Sequence, residues 1–223
     1  MRAIAAALLL AGAPAFAFAQ QPPPPAPTPT ATPVLLDRPV SGFVVDARAS
    51  LVKFGQRPAT AVALQTSPAN LPGPGLGGTI GAHVYPLHVG RVVIGFGGEL
   101  MLARRSRQPL DIAGEPLGAN LQARAMSMSP QVSLNFGRRK GWSFVSGGIG
   151  TGSFETWAGT GEMPDRKVRV INYGGGARWF SSAHLAFTID LRFYAMSPGL
   201  ETATAPERAR QRLMVLSVGV SGR

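Results

Sequence analysis

Residues 170–194 read "VINYGGGARWFSSAHLAFTIDLRFY". The second half alternates without a break. Leu185, Phe187, Ile189, Leu191 and Phe193 are apolar, and His184, Ala186, Thr188, Asp190, Arg192 and Tyr194 stand between them. A period of two is the mark of a strand whose faces meet different surroundings. The first half carries Gly174, Gly175 and Gly176, yet it too reads as a strand, joined to the second near Phe180-Ser181-Ser182. One face of this hairpin is bulky and apolar, while the other holds Asp190, Arg192 and Arg178 among small residues.

The same pattern recurs along the chain. Phe43, Val45, Ala47, Ala49 and Leu51 oppose Val44, Asp46, Arg48 and Ser50. Leu76, Ile80, Ala82 and Val84 oppose Thr79, His83 and Tyr85, and Val92, Ile94, Phe96, Leu100 and Leu102 oppose Arg91, Gly95, Gly97 and Glu99. Met126, Met128, Val132, Leu134 and Phe136 alternate with Ser127, Ser129, Gln131, Ser133 and Asn135. Met214, Leu216, Val218 and Val220 alternate with Leu213, Val215, Ser217 and Gly219. With "GWSFVSGGIGTGSF" (141–154), whose phase is ambiguous, eight strands are predicted and no helical period competes. Pro130 lacks a ladder donor, so a bulge or kink is expected there.

Connections alternate as well. Long ones lie between strands one and two, three and four, five and six, and seven and eight. Tight ones are expected at "PLH" (86–88), at "GRRKG" (137–141) and after Phe180. In an up-and-down meander this collects the long loops at one end and the tight turns at the other.

Alternation leaves open which face is outside. Strands of ten residues or more cross a bilayer at a tilt, whereas soluble strands are shorter. The less apolar face is mostly Gly, Ala, Ser, Thr and Asn, which suits the packed inside of a narrow barrel better than a water-exposed surface. The prediction is an all-β, eight-stranded antiparallel up-and-down transmembrane β-barrel with short periplasmic turns and long extracellular loops. Phe43, Phe136, Trp142, Tyr173, Trp179 and Phe193 would stand near the strand ends as interfacial aromatics.

Residues 1–19 fit a signal peptide: Arg2, an apolar run from Ala3 to Leu10, and small residues at Ala17 and Ala19. Residues 20–40 contain "QQPPPPAPTPTATP", a proline-rich periplasmic tether. Residues 41–223 form the barrel. The chain has no cysteine and a formal charge of +11, nearly all of it arginine. Basicity without an aromatic–basic platform, behind an export signal, argues against nucleic acid.

The segments "INYGGGARWF…HLAFTIDLRFY" and "GGIGTG", with the loop alternation, resemble the small eight-stranded bacterial outer-membrane β-barrel proteins. The resemblance covers residues 41–221. It implies a bacterial outer-membrane location in a Gram-negative cell envelope, a monomer, and dealings with outer-membrane lipid and the outer-membrane assembly machinery. The family closes its last strand with an aromatic residue, whereas this chain ends Val220-Ser221-Gly222-Arg223.

Asp46, Arg48, Arg91, Glu99, Arg178, Asp190 and Arg192 all fall on the face assigned to the lumen. Buried charges must pair, so a salt-bridged plug is expected in which arginines outnumber acids. A three-residue turn after strand six would set Arg178 opposite His184 and Asn172 opposite Asp190. Arg104, Arg105 and Arg107 stand at the outer end of strand three, as an expected contact for lipopolysaccharide phosphates. "GPGLGG" (73–78) matches a dinucleotide fingerprint only as letters, since no helix follows it. His83, His88 and His184 map to the tight-turn half, away from the rim where a lipid-modifying enzyme would need a base. No catalytic residue, metal or cofactor is assigned.

The expected function is a non-enzymatic outer-membrane protein with a structural, membrane-integrity or surface-interaction role; eight strands leave no porin-like channel. Two alternatives stand beside it. One is a lipid-modifying barrel enzyme, which needs a nucleophile and base at the rim. The other is a soluble periplasmic small-ligand-binding barrel, which needs an apolar lumen and a polar exterior.

Overall fold

β-Branched and aromatic residues at every second position favour extended chain, and eight such segments form in the computed structural model. It describes residues 40, 42–138, 140–159, 166–200 and 207–223; the assignments to 1–19 and to nearly all of 20–40 lie outside them. The strands are β1 (Phe43–Lys53), β2 (Gly75–Val89), β3 (Val92–Arg107), β4 (Leu121–Arg138), β5 (Gly141–Ala158), β6 (Val168–Phe180), β7 (Leu185–Met196) and β8 (Gln211–Gly222). Each pairs antiparallel with its chain neighbours, and β1 pairs with β8, so the sheet closes into an up-and-down barrel with no free edge. A short helix, α1 (Pro58–Ala63), and a single 3₁₀ turn (Pro68–Asn70) lie in the β1–β2 loop. Long loops gather at the end where β1 finishes, and tight turns at the other.

The exposure pattern is inside out. Every strand turns large apolar side chains outward, with Phe187 59% and Met128 62% exposed, while Asp190 and Arg192 are 1% and 2% exposed. This contradicts the polar exterior that a soluble barrel needs.

The lumen is layered. Toward the tight turns Val44, Tyr85, Val93, Trp142 and Phe144 pack together with Phe180. Toward the long loops Val52, Phe54, Met101, Phe154, Tyr194, Met196 and Leu213 form a larger apolar layer. Above it Ala61 of α1 packs on Leu71 and Leu121. The charged residues lie between the two apolar layers, which the sequence pattern did not foretell.

Two expectations are corrected. β2 runs through Pro86-Leu87-His88 and turns at Gly90-Arg91, where Gly90 takes φ +59. The proline sits in a β-bulge instead, since the β2–β3 register shifts between Val84 and Leu87; a bulge tolerates a residue that cannot donate. At Pro130 there is no bulge: the register to β3 is unbroken, with Pro130 opposite Gly98, but on the β5 side the pairing lapses at Ser129 and Pro130, between Met128–Thr151 and Gln131–Gly148, without a register shift. The "GPGLGG" glycines straddle the loop and the start of β2: Gly75, Gly77 and Gly78 are already in the strand.

Of the expected interfacial aromatics, Phe43, Phe136, Tyr173 and Trp179 are exposed, and Phe193 stacks on Tyr173 at 5.5 Å. Trp142 is the exception. It points inward, 3% exposed, edge-on to Tyr85 at 6.0 Å. Glycines at 147, 148, 150 and 152 had erased the alternation that fixes the phase of β5.

Candidate functional site

Strand periodicity builds the charged layer. Asp46 and Arg48 are two apart on β1, and Asp190 and Arg192 two apart on β7, so each pair shares the inner face. β3 adds Glu99 and β6 adds Arg178. All six are buried.

Arg48 is the hub. Its Nε lies 2.8 Å from Asp46 Oδ1, its Nη1 3.3 Å from Asp190 Oδ1, and its Nη2 bonds Glu99. Arg192 faces it, with Nη2 3.0 Å from Asp190 Oδ2 and Nε 3.4 Å from Glu99 Oε1. Arg178 reaches Asp46 Oδ2 at 3.1 Å and donates to Ser221 Oγ at 2.9 Å and to the Tyr85 hydroxyl at 3.1 Å. Its guanidinium also lies 5.5 Å from the Trp142 ring and 5.3 Å from that of Phe144. Tyr194 donates to Glu99 Oε1 at 2.5 Å. Hydroxyls and amides satisfy much of the remainder: Arg192 also donates to Asn172 at 3.1 Å and to Ser146 at 2.8 Å, and Asn172 bonds Ser129.

Arg91 does not belong to this layer. It lies exposed in the β2–β3 turn, because alternation gives the parity of a residue but not the point where its strand ends. The expected excess of arginine goes with it: three guanidiniums meet three carboxylates. The expected cross-strand partners are also corrected. Arg178 faces Thr188, Asn172 faces Tyr194, and Asp190 faces Gly176, because the β6–β7 turn takes four residues, Ser181 to His184, and is centred two residues later than a three-residue turn would be. A Cβ at Gly176 would overlap the Ile189 carbonyl and come within 2.9 Å of the Phe144 ring. Glycine is therefore what lets β6 and β7 approach beside the cluster.

His83 Nε2 is 3.4 Å from Gln131 Oε1 and its Nδ1 3.9 Å from Asp46; its setting is the polar network. Among the described residues no group of three His, Cys, Asp or Glu could hold a metal ion.

Arg104, Arg105 and Arg107 are exposed at the long-loop end of β3. Arg104 shares the outward face with Arg124, directly opposite on β4. Lys53, Arg169 and Arg212 occupy the same face at the same end of β1, β6 and β8, and all three are exposed. The result is a basic collar above the apolar belt, broader than the three arginines singled out from sequence.

A second buried cluster was not read from sequence. Glu155, 4% exposed near the end of β5, is held side-on by Arg166, with Nε 3.0 Å and Nη2 2.9 Å from its two oxygens, and by Arg208 Nη1 at 2.9 Å. Both arginines come from loops, where no periodicity points to them.

No family model and no curated protein sequence matches this chain. Solved structures do. Neisserial surface protein A (NspA) superposes with a TM-score of 0.54 at 12% identity, covering 82% of this chain and 97% of that one. Ail, the attachment invasion locus protein of Yersinia pestis, solved with the heparin analogue sucrose octasulfate, gives 0.45 at 12% identity, over 81% and 95%. The N-terminal β-barrel domain of Pseudomonas aeruginosa OprF gives 0.34 at 15% identity, over 80% and 96%. At such identities the likeness to NspA speaks for the fold: a closed eight-stranded antiparallel barrel of the outer-membrane kind.

Proposed function

We propose that this chain is a non-enzymatic outer-membrane β-barrel protein with a structural, membrane-integrity or surface-interaction role, its lumen sealed and its long loops on the cell surface. One observation carries the reading. Six buried, charge-balanced side chains lock four strands together from inside, between apolar layers, while every strand offers apolar side chains outward. Such an exterior suits lipid, and strands of this length span a bilayer when tilted. A lumen so filled serves rigidity better than transport.

The expected result is recovery with outer membranes on fractionation, and a shift in gel mobility on boiling. Reconstituted in planar bilayers, the protein should give no discrete conductance steps. A water-soluble protein without the heat-dependent shift would overturn the membrane reading, and steady porin-like conductance the sealed lumen.

The collar supports a lipid contact. Arg104 and Arg124 are like charges directly opposed across two strands, and Glu155, opposite Arg124 on its other side, is already held by Arg166 and Arg208, so an anion between the two arginines would relieve their repulsion. Lipopolysaccharide phosphates would meet Arg104, Arg105 and Arg107 at that depth. Replacing these three by glutamine should weaken binding of the folded protein to lipopolysaccharide by about tenfold or more and flatten its salt dependence. Unchanged binding would remove the collar from the interface.

A further inference from the structure

The two ends of the barrel differ in charge. Among the described residues the exposed acids, Asp111, Glu115 and Glu207, all lie at the long-loop end. At the tight-turn end Arg91, Arg138 and Lys140 are exposed, and no exposed acid stands with them among the described residues.

Two neighbouring turns bring these cations together. β3 starts beside the end of β4, with Val92 opposite Phe136. Arg91 comes one residue before that pair and Arg138 two residues after it, so both leave the barrel at the same place. Lys140 follows in the β4–β5 turn. Like charges gathered in this way gain from a shared anion.

The cations stand at the edge of the apolar exterior. Phe136 is exposed and precedes Arg138 by two residues. Gly141 pairs with Arg138 on one side and with Trp179 on the other. Trp179 is 54% exposed, and Phe187, its partner on β7, is exposed as well. A row across four strands therefore runs Arg138, Gly141, Trp179, Phe187. The glycine leaves no side chain between the guanidinium and the indole, whose strands lie two spacings apart, roughly 10 Å. An exposed indole suits the boundary between acyl chains and headgroups, and a guanidinium beside it suits a phosphate. A soluble polyanion would neutralise the cations but leave Phe136 and Trp179 bare. A lipid covers both.

We propose that the tight-turn end selects anionic phospholipid from the leaflet it faces. The headgroup phosphate lies on Arg138 and Lys140 with Arg91 beside them, and the upper acyl chain lies over Gly141 against Trp179 and Phe136. The inference rests on the membrane reading above. It is independent of the collar, which stands at the opposite end of the barrel.

The test is fluorescence quenching of the full chain in vesicles of mixed phosphatidylcholine and phosphatidylglycerol, with bromine placed high on the acyl chains of one lipid or the other. A Trp157→Phe background leaves Trp179 as the exposed indole, since Trp142 is buried. Brominated phosphatidylglycerol should quench as though enriched about fivefold or more over its bulk fraction. Arg138→Gln combined with Lys140→Gln should remove most of that enrichment, and added salt should lower it. Arg210→Gln, exposed at the long-loop end, should leave it unchanged. The heat-dependent mobility shift shows that each variant is folded. Equal quenching by the two lipids, or an enrichment that survives the loss of both cations, would overturn the proposal while the membrane reading stands. A chain that does not enter vesicles of either lipid would overturn both.

Discussion

Replacing Arg48 by alanine is expected to lower the unfolding free energy of the barrel by about 3–5 kcal/mol. Arg48 touches all three acids of the charged layer, Asp46, Glu99 and Asp190. Without it Asp46 keeps Arg178, but Glu99 and Asp190 must share Arg192. Three carboxylates then face two guanidiniums among side chains that are almost fully buried. The penalty is chiefly that of the charge left behind, so it should shrink when the balance is restored. Arg48→Gln combined with Glu99→Gln should therefore cost less than the sum of the two single changes, a coupling readable in a double-mutant cycle. Ser50→Ala, which removes hydroxyl bonds of 2.8 Å to Thr79 and Ser217 on the same face, should cost about 1 kcal/mol. Urea unfolding in detergent micelles, followed by the mobility shift, measures all five variants. If Arg48→Ala costs no more than Ser50→Ala, the charged layer is not what holds the interior together.

The sidedness of this barrel is legible because a two-residue period has only two phases, and one of them would put Asp190 and Arg192 in the wrong medium. Where both faces carry distinct side chains, as in β1, β4 and β7, inner and outer residues separate as the letters suggest. The phase is lost where glycine removes the contrast, as in β5, and Trp142 was misplaced for that reason. Strand ends are harder still. Arg91 has lumen parity but lies in a turn, because the positive φ of Gly90, rather than the proline at 86, is what reverses the chain. Cross-strand partners depend on the length and centre of the turn, so an error there moves Asn172 from Tyr194 to Asp190. The Glu155 cluster is invisible to any such reasoning. Its partners Arg166 and Arg208 are 11 and 53 residues away in loops, and only the closure of the barrel brings them to one place.

Leu191→Arg puts the opposite rule to the test, on the outer face of the same strand whose inner face holds Asp190 and Arg192. Leu191 is 42% exposed midway along β7, between Gly175 of β6 and Leu216 of β8. No carboxylate flanks it there, and the nearest acids, Asp190 and Glu99, lie on the other side of the sheet. In lipid, an arginine at the middle of a strand costs about 2–4 kcal/mol, falling toward zero at the interfaces. The same substitution at Phe43, at the tight-turn end of β1, should therefore cost about 1 kcal/mol or less. Urea midpoints of the two variants folded into phospholipid vesicles give the comparison. The depth dependence is the informative part. In water neither position would resist a charge, since arginine on an exposed strand face is readily solvated. If Leu191→Arg and Phe43→Arg fold equally well in vesicles, the apolar belt is not facing lipid. The inside-out placement of Arg48 and Arg192 would then need another cause. If only the mid-strand variant fails, one strand has shown charge to be required on its inner face and excluded from its outer one, a residue apart.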